Sequence, residues 1–416
     1  MDFHFPCVRI SAVLVLGQSR TRGERKNGTG FARDNGYDSC VESERSMELA
    51  KLIEDLSNPN AYPFRVQEVE VHHTHISVVF LAGSYAYKIK KPVDLGFLDF
   101  SSLEKRHHFC QEEVRLNRRL APTVYHGVVP VVRTASRIRI EVDGDVVDWA
   151  VKMKRLPPEA SLQTRLRKGE IGPIEVANLA QRVARFHAEA ERNAQIASFG
   201  TLGTISRNVR ENFEQAQPLI GVTISRPVFD RLQTLSNSAL NSLGRLIEER
   251  ALTNVPCDTH GDLHLDHVYF FPDRPPADDL VIIDCIEFNE RFRFADPVAD
   301  MAFLYMDLIF HGRRDLAGVF ADAYFSASYD EEGRNLLSFY SAYRASVRGK
   351  VEGFEVNEEE IPAAERQEVL IKARAHWLLA LGELEAPSQR PCLVLVGGLP
   401  GTGKSTFARR LPPQLA

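Results

Sequence analysis

The chain has 416 residues, of which 26% are charged and 44% hydrophobic, and its formal net charge is −5. This balance is typical of a folded protein of about two to three domains and excludes a disordered or collagen-like chain. A slightly acidic chain is not expected to bind nucleic acid, and no apolar run is long enough to span a membrane.

The first 46 residues differ from the rest of the chain. The stretch Gly17–Tyr37 is rich in Gly, Arg and Asn without apolar periodicity, which predicts a disordered leader or a start codon assigned too far upstream. A basic arm for nucleic acid or a membrane is the alternative. Ile10–Leu16 is too short for a signal peptide. We expect the folded part to begin with an amphipathic helix, Met47–Leu56.

A small β-rich lobe is predicted over residues 47–155. Apolar and polar residues alternate loosely after Phe64, which is typical of antiparallel strands. A helix from Ser101 to Leu120 interrupts them. The predicted strands are Ser77–Ala82, Tyr85–Lys90, Val128–Val132, Arg137–Glu141 and Val146–Met153.

Residues 156–385 are predicted to form a larger helical lobe, so the fold class is α+β with two lobes. Short apolar strands at Val268–Phe271 and Leu280–Ile283 flank a polar loop in this lobe. Residues 386–391 are interpreted as a linker before a separate segment, 392–416. Cys257 and Cys285 adjoin apolar runs, which predicts buried, reduced thiols and a cytoplasmic location.

The strongest chemical pattern is His260-Gly-Asp-Leu-His-Leu-Asp-His267, followed by an apolar strand that ends in Ile283-Asp284. Phosphoryl transfer needs one carboxylate to orient the acceptor hydroxyl and another to hold Mg²⁺ against the phosphates. It also needs a lysine to neutralise phosphate charge. The sequence therefore predicts phosphoryl transfer.

Together with Asp296-Pro-Val-Ala-Asp300, these motifs resemble the aminoglycoside phosphotransferase family, which has the two-lobed protein-kinase-like fold. The resemblance covers roughly residues 64–385 and is closest to the bacterial branch in which this domain precedes a P-loop domain. It implies that ATP and Mg²⁺ are used. It also implies that a hydroxyl of a small molecule is phosphorylated.

The resemblance also assigns roles to individual residues. Asp262 matches the catalytic aspartate, and Asp284 matches the aspartate that binds the metal. His267 stands where most of the family has a magnesium-binding asparagine, and an imidazole is a less typical ligand for Mg²⁺. The resemblance therefore does not decide whether there is a second metal site. Asp266 is a spare carboxylate nearby.

The strand Tyr85-Ala-Tyr-Lys88 resembles the family strand that carries the phosphate-pairing lysine. Lys88 is our choice and Lys90, on the same face of the strand, is the alternate. The family pairs this lysine with a glutamate of the next helix, for which Glu113 is preferred over Glu112. Ala150–Leu156 resembles the connector that pairs with adenine, where Met153 is an apolar contact or a plain core residue.

Two further side-chain groups bear on the acceptor and on the fold. Arg344 and Arg348 lie four residues apart on one predicted helix face, where they would suit an anionic acceptor or pair with Glu358–Glu360. We interpret His187 as structural.

The segment from Cys392 contains Gly398-Leu-Pro-Gly-Thr-Gly403-Lys404-Ser405, within a Walker A pattern preceded by an apolar strand. Such a loop cradles phosphates with backbone N–H groups, with Lys404 on the phosphates and Ser405 on Mg²⁺. Because the sequence stops soon after it, we expect a truncated P-loop domain that hydrolyses nothing alone.

The sequence thus predicts a kinase for an unidentified small molecule. Two alternatives stay open. The first is a non-catalytic nucleotide-binding domain, in which His267 marks lost metal chemistry. The second is that the P-loop carries the activity and the front domain regulates it.

Overall fold

The structure is a computed structural model that describes most of the chain from residue 47 onwards. The expected leader over residues 1–46, the apolar run 392–396 and Gly398 lie outside the described residues. The described residues are 47–135, 137–276, 278–356, 362–389, 397 and 399–410.

Six antiparallel strands form the sheet of the small lobe, as the alternating pattern predicts. In space the strands follow the order β1-β2-β3-β6-β4-β5, so the last long strand lies beside the third. The strands are β1 Val69–His73, β2 Ser77–Ala82, β3 Tyr85–Lys90, β4 Tyr125–Arg133, β5 Ile138–Ile140 and β6 Asp145–Lys154.

The two faces of this sheet are covered differently. Helix α1, residues 47–56, packs Leu52 and Leu56 with Tyr87 and Ile89 of β3. Helix α2, Leu103–Asn117, lies against the other face, where its Cys110 and Val114 share a cluster with residues of β2, β3 and β6. Because side chains alternate along β3, Lys88 and Lys90 point towards α2.

The larger lobe is helical, as predicted, and is built around one apolar core. That core includes residues from most of its long helices. Its helices are α3 Leu162–Arg167, α4 Pro173–Glu189, α5 Ala194–Ser198, α6 Leu202–Ala216, α7 Arg226–Leu252, α8 Glu290–Arg293, α9 Pro297–Phe310, α10 Arg314–Ser328, α11 Leu337–Glu355 and α12 Ala363–Leu384.

Helix α9 is largely buried. Eleven of its 14 residues are buried, and Asp296 caps its N-terminus by accepting a hydrogen bond from Val298 N. The guanidinium of Arg250 on α7 donates to both oxygens of Asp296, over 2.7 and 3.0 Å, and also pairs with Asp330. This buried pairing fixes the start of α9 against α7 and the end of α10.

Two short strand pairs position the polar loop between them. Strand β7, Cys257–Asp258, pairs with β10, Phe294–Ala295, and strand β8, Val268–Phe270, pairs with β9, Leu280–Ile282. Residues 259–267 therefore leave one pair and enter the other, which holds both ends of the loop in place.

Beyond α12, residues Lys404–Arg410 form a short helix, α13. Gly401 and Gly403 before it have φ values of 82° and 81°, which glycine adopts without strain. In the described ranges, no helix is both long enough and apolar enough to cross a membrane.

Candidate active site

Lys88 of the small lobe meets the loop after β9 of the large lobe. Its Nζ lies 2.7 Å from Asp284 Oδ1 and 2.9 Å from Glu113 Oε1 of α2. Burial opposes the charge of the ammonium, yet the carboxylates of Asp284 and Glu113 hold the pKa of Lys88 well above its ordinary value. The lysine is therefore a fixed cation at the junction of the lobes.

Lys90, the alternate lysine, has a different environment. It is fully buried, and its Nζ donates to Glu113 Oε2 over 2.8 Å and to Glu287. Glu113 therefore joins both lysines, whereas Glu112 pairs with Arg115 at the surface. Between carboxylates and away from solvent, Lys90 braces α2 against β3.

Asp284 has a strained backbone, with φ at 66°. The left-handed region costs a residue with a Cβ roughly 1–2 kcal/mol. Neighbouring contacts hold it there: Asp284 N donates to Tyr125 Oη over 3.2 Å, and Cys285 N donates to Asn117 Oδ1 over 2.9 Å. Strain that persists under such restraint is typical of functional positions.

His260 connects the polar loop to the Asp284 segment. Its Nε2 donates to the Ile283 carbonyl over 2.9 Å, and its Nδ1 accepts from Asp262 N over 3.3 Å. The next residue must be glycine, because Gly261 has φ 88° and a Cβ would lie 2.8 Å from the Phe292 carbonyl oxygen. The His-Gly-Asp sequence thus has a structural reason at each of its first two positions.

Helix α9 supports the loop through two carboxylates. Asp300 accepts from His260 N over 3.1 Å and from Gly261 N over 2.8 Å. Seven residues further along the helix, Asp307 accepts from Leu265 N over 2.9 Å. The loop is therefore hydrogen-bonded along one side of a buried helix.

Asp300 is itself held by His187, which has the structural role expected of it. His187 Nε2 donates to Asp300 Oδ2 over 3.0 Å, while its Nδ1 accepts from the Tyr324 hydroxyl over 2.8 Å. Burial opposes the charge of Asp300, but the hydrogen bond from His187 lowers its pKa to about 2. The carboxylate is thus ionised when it binds the loop.

Asp262, His264 and His267 form a buried cluster whose potential metal-binding atoms all lie within 4.8 Å of one another. His267 Nδ1 donates to the Asp262 carbonyl over 2.8 Å, which leaves Nε2 as the basic nitrogen of the neutral ring. Burial, with His264 nearby, lowers the pKa of His267 to about 3, so the ring is neutral. Its Nε2 lies 3.5 Å from Asp284 Oδ2.

These donors suit a divalent cation. A basic imidazole nitrogen and a carboxylate oxygen face each other, and a cation between them would join two acceptors. The carboxylates suit Mg²⁺ or Mn²⁺, whereas the imidazole favours later transition metals over Mg²⁺. Sequence reasoning selected Asp284 and His267 but not His264, which forms the buried cluster with Asp262 and His267.

A pocket that opens to solvent lies beside Asp262 in the helical lobe. Residues of α6, α9 and α11 line it, together with residues 291–292 and 294–296. We call it the α6–α11 pocket. Asp262 is one of its lining residues.

Arg344 and Arg348 both line this pocket, but they are engaged differently. Arg344 is buried and donates to the Ala299 carbonyl over 2.8 Å, with its guanidinium over Phe303. Arg348 lies 3.5 Å from Glu352. Part of the expected salt bridging is therefore local to α11, while Glu358–Glu360 lie outside the described residues.

The remaining candidate positions lie in β6 and around the start of α13. Met153 is buried near the end of β6, opposite Ala86 of β3 and Tyr125 of β4. Of the P-loop residues, Gly403 precedes α13 and Lys404 and Ser405 begin it. Nucleotide binding by this segment stays a prediction.

Comparisons with known proteins place the chain beside relatives of unknown role. No family model matches it. An uncharacterized protein of Mycobacterium tuberculosis is 35% identical over 343 residues, and a Mycobacterium bovis protein matches equally well. The match covers 82% of this chain but only 64% of those relatives, so the chain spans less than the full length of the proteins it matches.

Several solved structures are similar at low identity. A choline/ethanolamine kinase family protein from Mesorhizobium loti is 13% identical, with TM-score 0.43, covering 82% of this chain and 99% of its own. A putative aminoglycoside phosphotransferase from Ralstonia eutropha is 13% identical, with TM-score 0.44, and the match covers 83% of this chain and 98% of its own. An amicoumacin kinase in complex with AMP-PNP, Ca²⁺ and Ami is 12% identical, with TM-score 0.45, and the match covers 82% of this chain and 95% of its own. These identities and TM-scores are too low to assign a fold or a function to the chain.

Proposed function

We propose that this protein is an ATP-dependent phosphotransferase that moves the γ-phosphoryl group of ATP to a hydroxyl of a small-molecule acceptor. One observation carries the proposal: Lys88, Asp284, His267 and Asp262 follow one another at the junction of the lobes. The successive contacts are 2.7 Å for Lys88–Asp284, 3.5 Å for Asp284–His267 and 3.9 Å for His267–Asp262. A cation, a metal-binding carboxylate and a base are the parts that phosphoryl transfer requires.

In the proposed reaction, Asp262 accepts the proton of the acceptor hydroxyl. The acceptor oxygen then forms a bond to the γ-phosphorus while the bond between that phosphorus and the β–γ bridging oxygen breaks. The products are a phosphate ester and ADP, and the proton passes to Asp262 and then to solvent. Asp262 suits this role because it borders the α6–α11 pocket, through which an acceptor could reach it.

Lys88 is the proposed partner of the nucleotide phosphates. Glu113 would keep it in place when phosphate oxygens compete for its ammonium, because Glu113 is fully buried and is also held by Lys90. In this proposal Lys90 is a positioning residue, which differs from its alternate role as a phosphate ligand. The adenine would lie against Met153, close to the connector between the lobes.

Asp284 and His267 are the residues that would hold a divalent cation, with Asp262 and His264 adjacent. When bound, such an ion neutralises charge on the transferring phosphoryl group. The chain contributes the ligand arrangement: the Asp284 backbone, held in its left-handed conformation, directs the carboxylate towards both Lys88 and His267. We keep Mg²⁺ as the proposed ion. We also keep the cytoplasm as the proposed location, since Cys257 and Cys285 are free, buried thiols.

The direct test is ADP formation by the full chain with Mg-ATP and a panel of sugars, amino alcohols, hydroxy acids and aminoglycosides. We expect at least one acceptor to raise ADP formation above the acceptor-free rate. Phosphate transfer from γ-labelled ATP to that compound should account for the ADP. Absence of acceptor-dependent ADP across the panel, with ATP bound, contradicts the proposal.

The second candidate is a non-catalytic nucleotide-binding domain, and the observation that favours it is the histidine at position 267. An imidazole at a metal position can mark lost magnesium chemistry. A binding domain would bind ATP without turning it over, and Asp262→Asn would change neither ATP affinity nor the absence of turnover. An enzyme would lose turnover in that variant while its ATP affinity changes by no more than a few fold.

A further inference from the structure

The α6–α11 pocket contains a buried amide that has no hydrogen-bond partner in the part of the chain that the structure describes. Asn212 on α6 is 3% exposed and lines the pocket. Neither its Nδ2 nor its Oδ1 forms a hydrogen bond with any described residue. Buried polar atoms are nearly always paired, and leaving them unpaired is costly. A ligand that offers both a donor and an acceptor would satisfy this side chain.

A buried ammonium lies beside the same stretch of α6. Lys350 of α11 is fully buried, and its Nζ donates to Gln215 Oε1 over 2.6 Å. Gln215 and Asn212 are three residues apart, so they share one face of α6. Across the described ranges, no carboxylate lies within 4.0 Å of Lys350 Nζ. The ammonium thus has a neutral partner in a pocket that also contains an unpaired amide.

Two of the three carboxylates that line the pocket are paired with arginines. Glu211 is paired with Arg291, and Asp296 is paired with Arg250. The third, Asp262, accepts the proton of the acceptor hydroxyl in the proposed function. Free negative charge is therefore scarce in the pocket, whereas Lys350 and Arg344 have neutral partners. This charge pattern disfavours a polycationic acceptor.

We propose that the acceptor is a small hydroxylated molecule with an anionic group, which pairs with Lys350, and an uncharged hydrogen-bonding group, which meets Asn212. This inference rests on the proposed function, because it assumes that a hydroxyl of the bound molecule reaches Asp262. Carboxylate and phosphate would both meet the requirement at Lys350.

The protonation of Lys350 agrees with such a ligand. Burial lowers the pKa of this lysine to about 7, while the charge of Glu211 opposes the shift and that of Arg291 adds to it. Most of the amine is therefore neutral at pH 8. An anion beside the amine would favour the charged form. Binding of an anionic ligand at pH 8 is therefore expected to take up a proton, which calorimetry in buffers of different ionisation enthalpy detects.

The test uses matched ligands that differ mainly in one charge: glucuronate, glucose and glucosamine, and the smaller set glycerate, glycerol and serinol, with glycerol 3-phosphate as the phosphate arm. Binding to the full chain is measured by calorimetry without nucleotide. In at least one set, we expect the anionic member to bind about tenfold more tightly than the neutral one. The cationic member should bind most weakly.

Variants separate the two pocket contacts. Lys350→Met should remove the advantage of the anionic member while changing affinity for the neutral member by less than about twofold. Asn212→Leu should weaken all members of the preferred set. Lys168→Met, at an exposed position outside the pocket, is the matched control and should change nothing. A preference for cationic members, or equal affinities within both sets including no binding at all, overturns the inference.

The same ligands distinguish failure of the inference from failure of the proposed function. Tight binding of the anionic members without acceptor-dependent ADP formation would leave the pocket assignment intact and refute the kinase activity. ADP formation with amino compounds alone would support the kinase activity and refute the pocket assignment.

Discussion

Lys88 Nζ and Asp284 Oδ1 are 2.7 Å apart although 196 residues separate them along the chain. The first belongs to the sheet of the small lobe and the second to a loop of the helical lobe. Their ion pair therefore reports the relative placement of both lobes. It also explains why a strained aspartate is tolerated, because an oppositely charged partner holds its side chain.

The two lysines of β3 should separate in function. We expect Lys88→Met to lower ATP turnover by about 10²–10³ because it removes a charge aimed at the phosphates. Lys90→Met should instead reduce the free energy of unfolding by about 3–5 kcal/mol, since Glu287 would be left buried without its cation. Turnover of the folded protein and urea denaturation measure the two effects. Equal loss of turnover in both variants would show that Lys90 also serves the nucleotide.

Asp262→Asn should reduce turnover by about 10²–10⁴, the usual contribution of a general base. Asp266→Asn is the matched control, because Asp266 lies on the same loop but is only half-buried. Its turnover should stay within a few fold of the parent chain. Steady-state ADP release measures both variants, and calorimetric ATP titration checks that binding is preserved. If the control loses as much activity as Asp262→Asn, the base is misassigned.

Gly261→Ala should distort the loop that carries Asp262. The left-handed backbone costs about 1–2 kcal/mol, and the contact with the Phe292 carbonyl adds about 1–3 kcal/mol. Gly169→Ala is a matched control, since Gly169 has a similar φ of 73° and nothing within 4 Å of an added Cβ. We expect the control to show only the backbone cost and full turnover. Similar denaturation midpoints for both variants would argue against the contact.

His267 should influence which metal ion is preferred. We expect Mn²⁺ to support turnover severalfold better than Mg²⁺ in the parent chain, because Mn²⁺ accepts imidazole more readily. His267→Asn should shift the ratio towards Mg²⁺. Titration of Mn²⁺ by electron paramagnetic resonance, without nucleotide, should show weaker binding in the variant. An unchanged metal ratio and unchanged Mn²⁺ affinity would remove His267 from the ligand set.

Stability should depend on pH through Lys350. Its pKa is about 7 in the folded protein against an ordinary value of 10.5. Between these values the unfolded chain binds more protons, so the free energy of unfolding rises with pH by up to about 1.4 kcal/mol per unit. Lys350→Met lacks this slope. Its stability relative to the parent should therefore fall by about 2 kcal/mol between pH 7.5 and 9. Parallel pH profiles in urea denaturation would place the pKa elsewhere.

Local patterns were enough to predict much of the fold. Strands β2 and β3 have the predicted bounds, because a glycine turn separates two alternating runs. Helix α2 starts later than predicted, at Leu103 with Ser102 as its cap. Asp99 accepts hydrogen bonds from Ser101 N and Oγ, which holds Ser101 in a turn ahead of the helix. Competition between a turn and a cap is hard to resolve from sequence.

The candidate site was predictable only in part. The motifs pointed to the positions that meet around Asp284. They did not point to Asp307, which binds the other half of the polar loop through Leu265 N. Asp307 could have been noticed, since it lies seven residues after Asp300 within an apolar helix. Asn212 and Lys350 could not, because their environment arises where α6 packs on α11, elements far apart in the chain.

The spacing of Asp300 and Asp307 also has a consequence for how this loop can change. Seven residues of α-helix advance about 10.5 Å and return nearly to the same side of the axis. One residue inserted between them would turn Asp307 away by about 100°, detach Leu265 and tilt the stretch that holds Asp262 and His267. The number of residues between Asp300 and Asp307 in α9 therefore fixes the position of the loop, and we expect this spacing to tolerate neither insertions nor deletions.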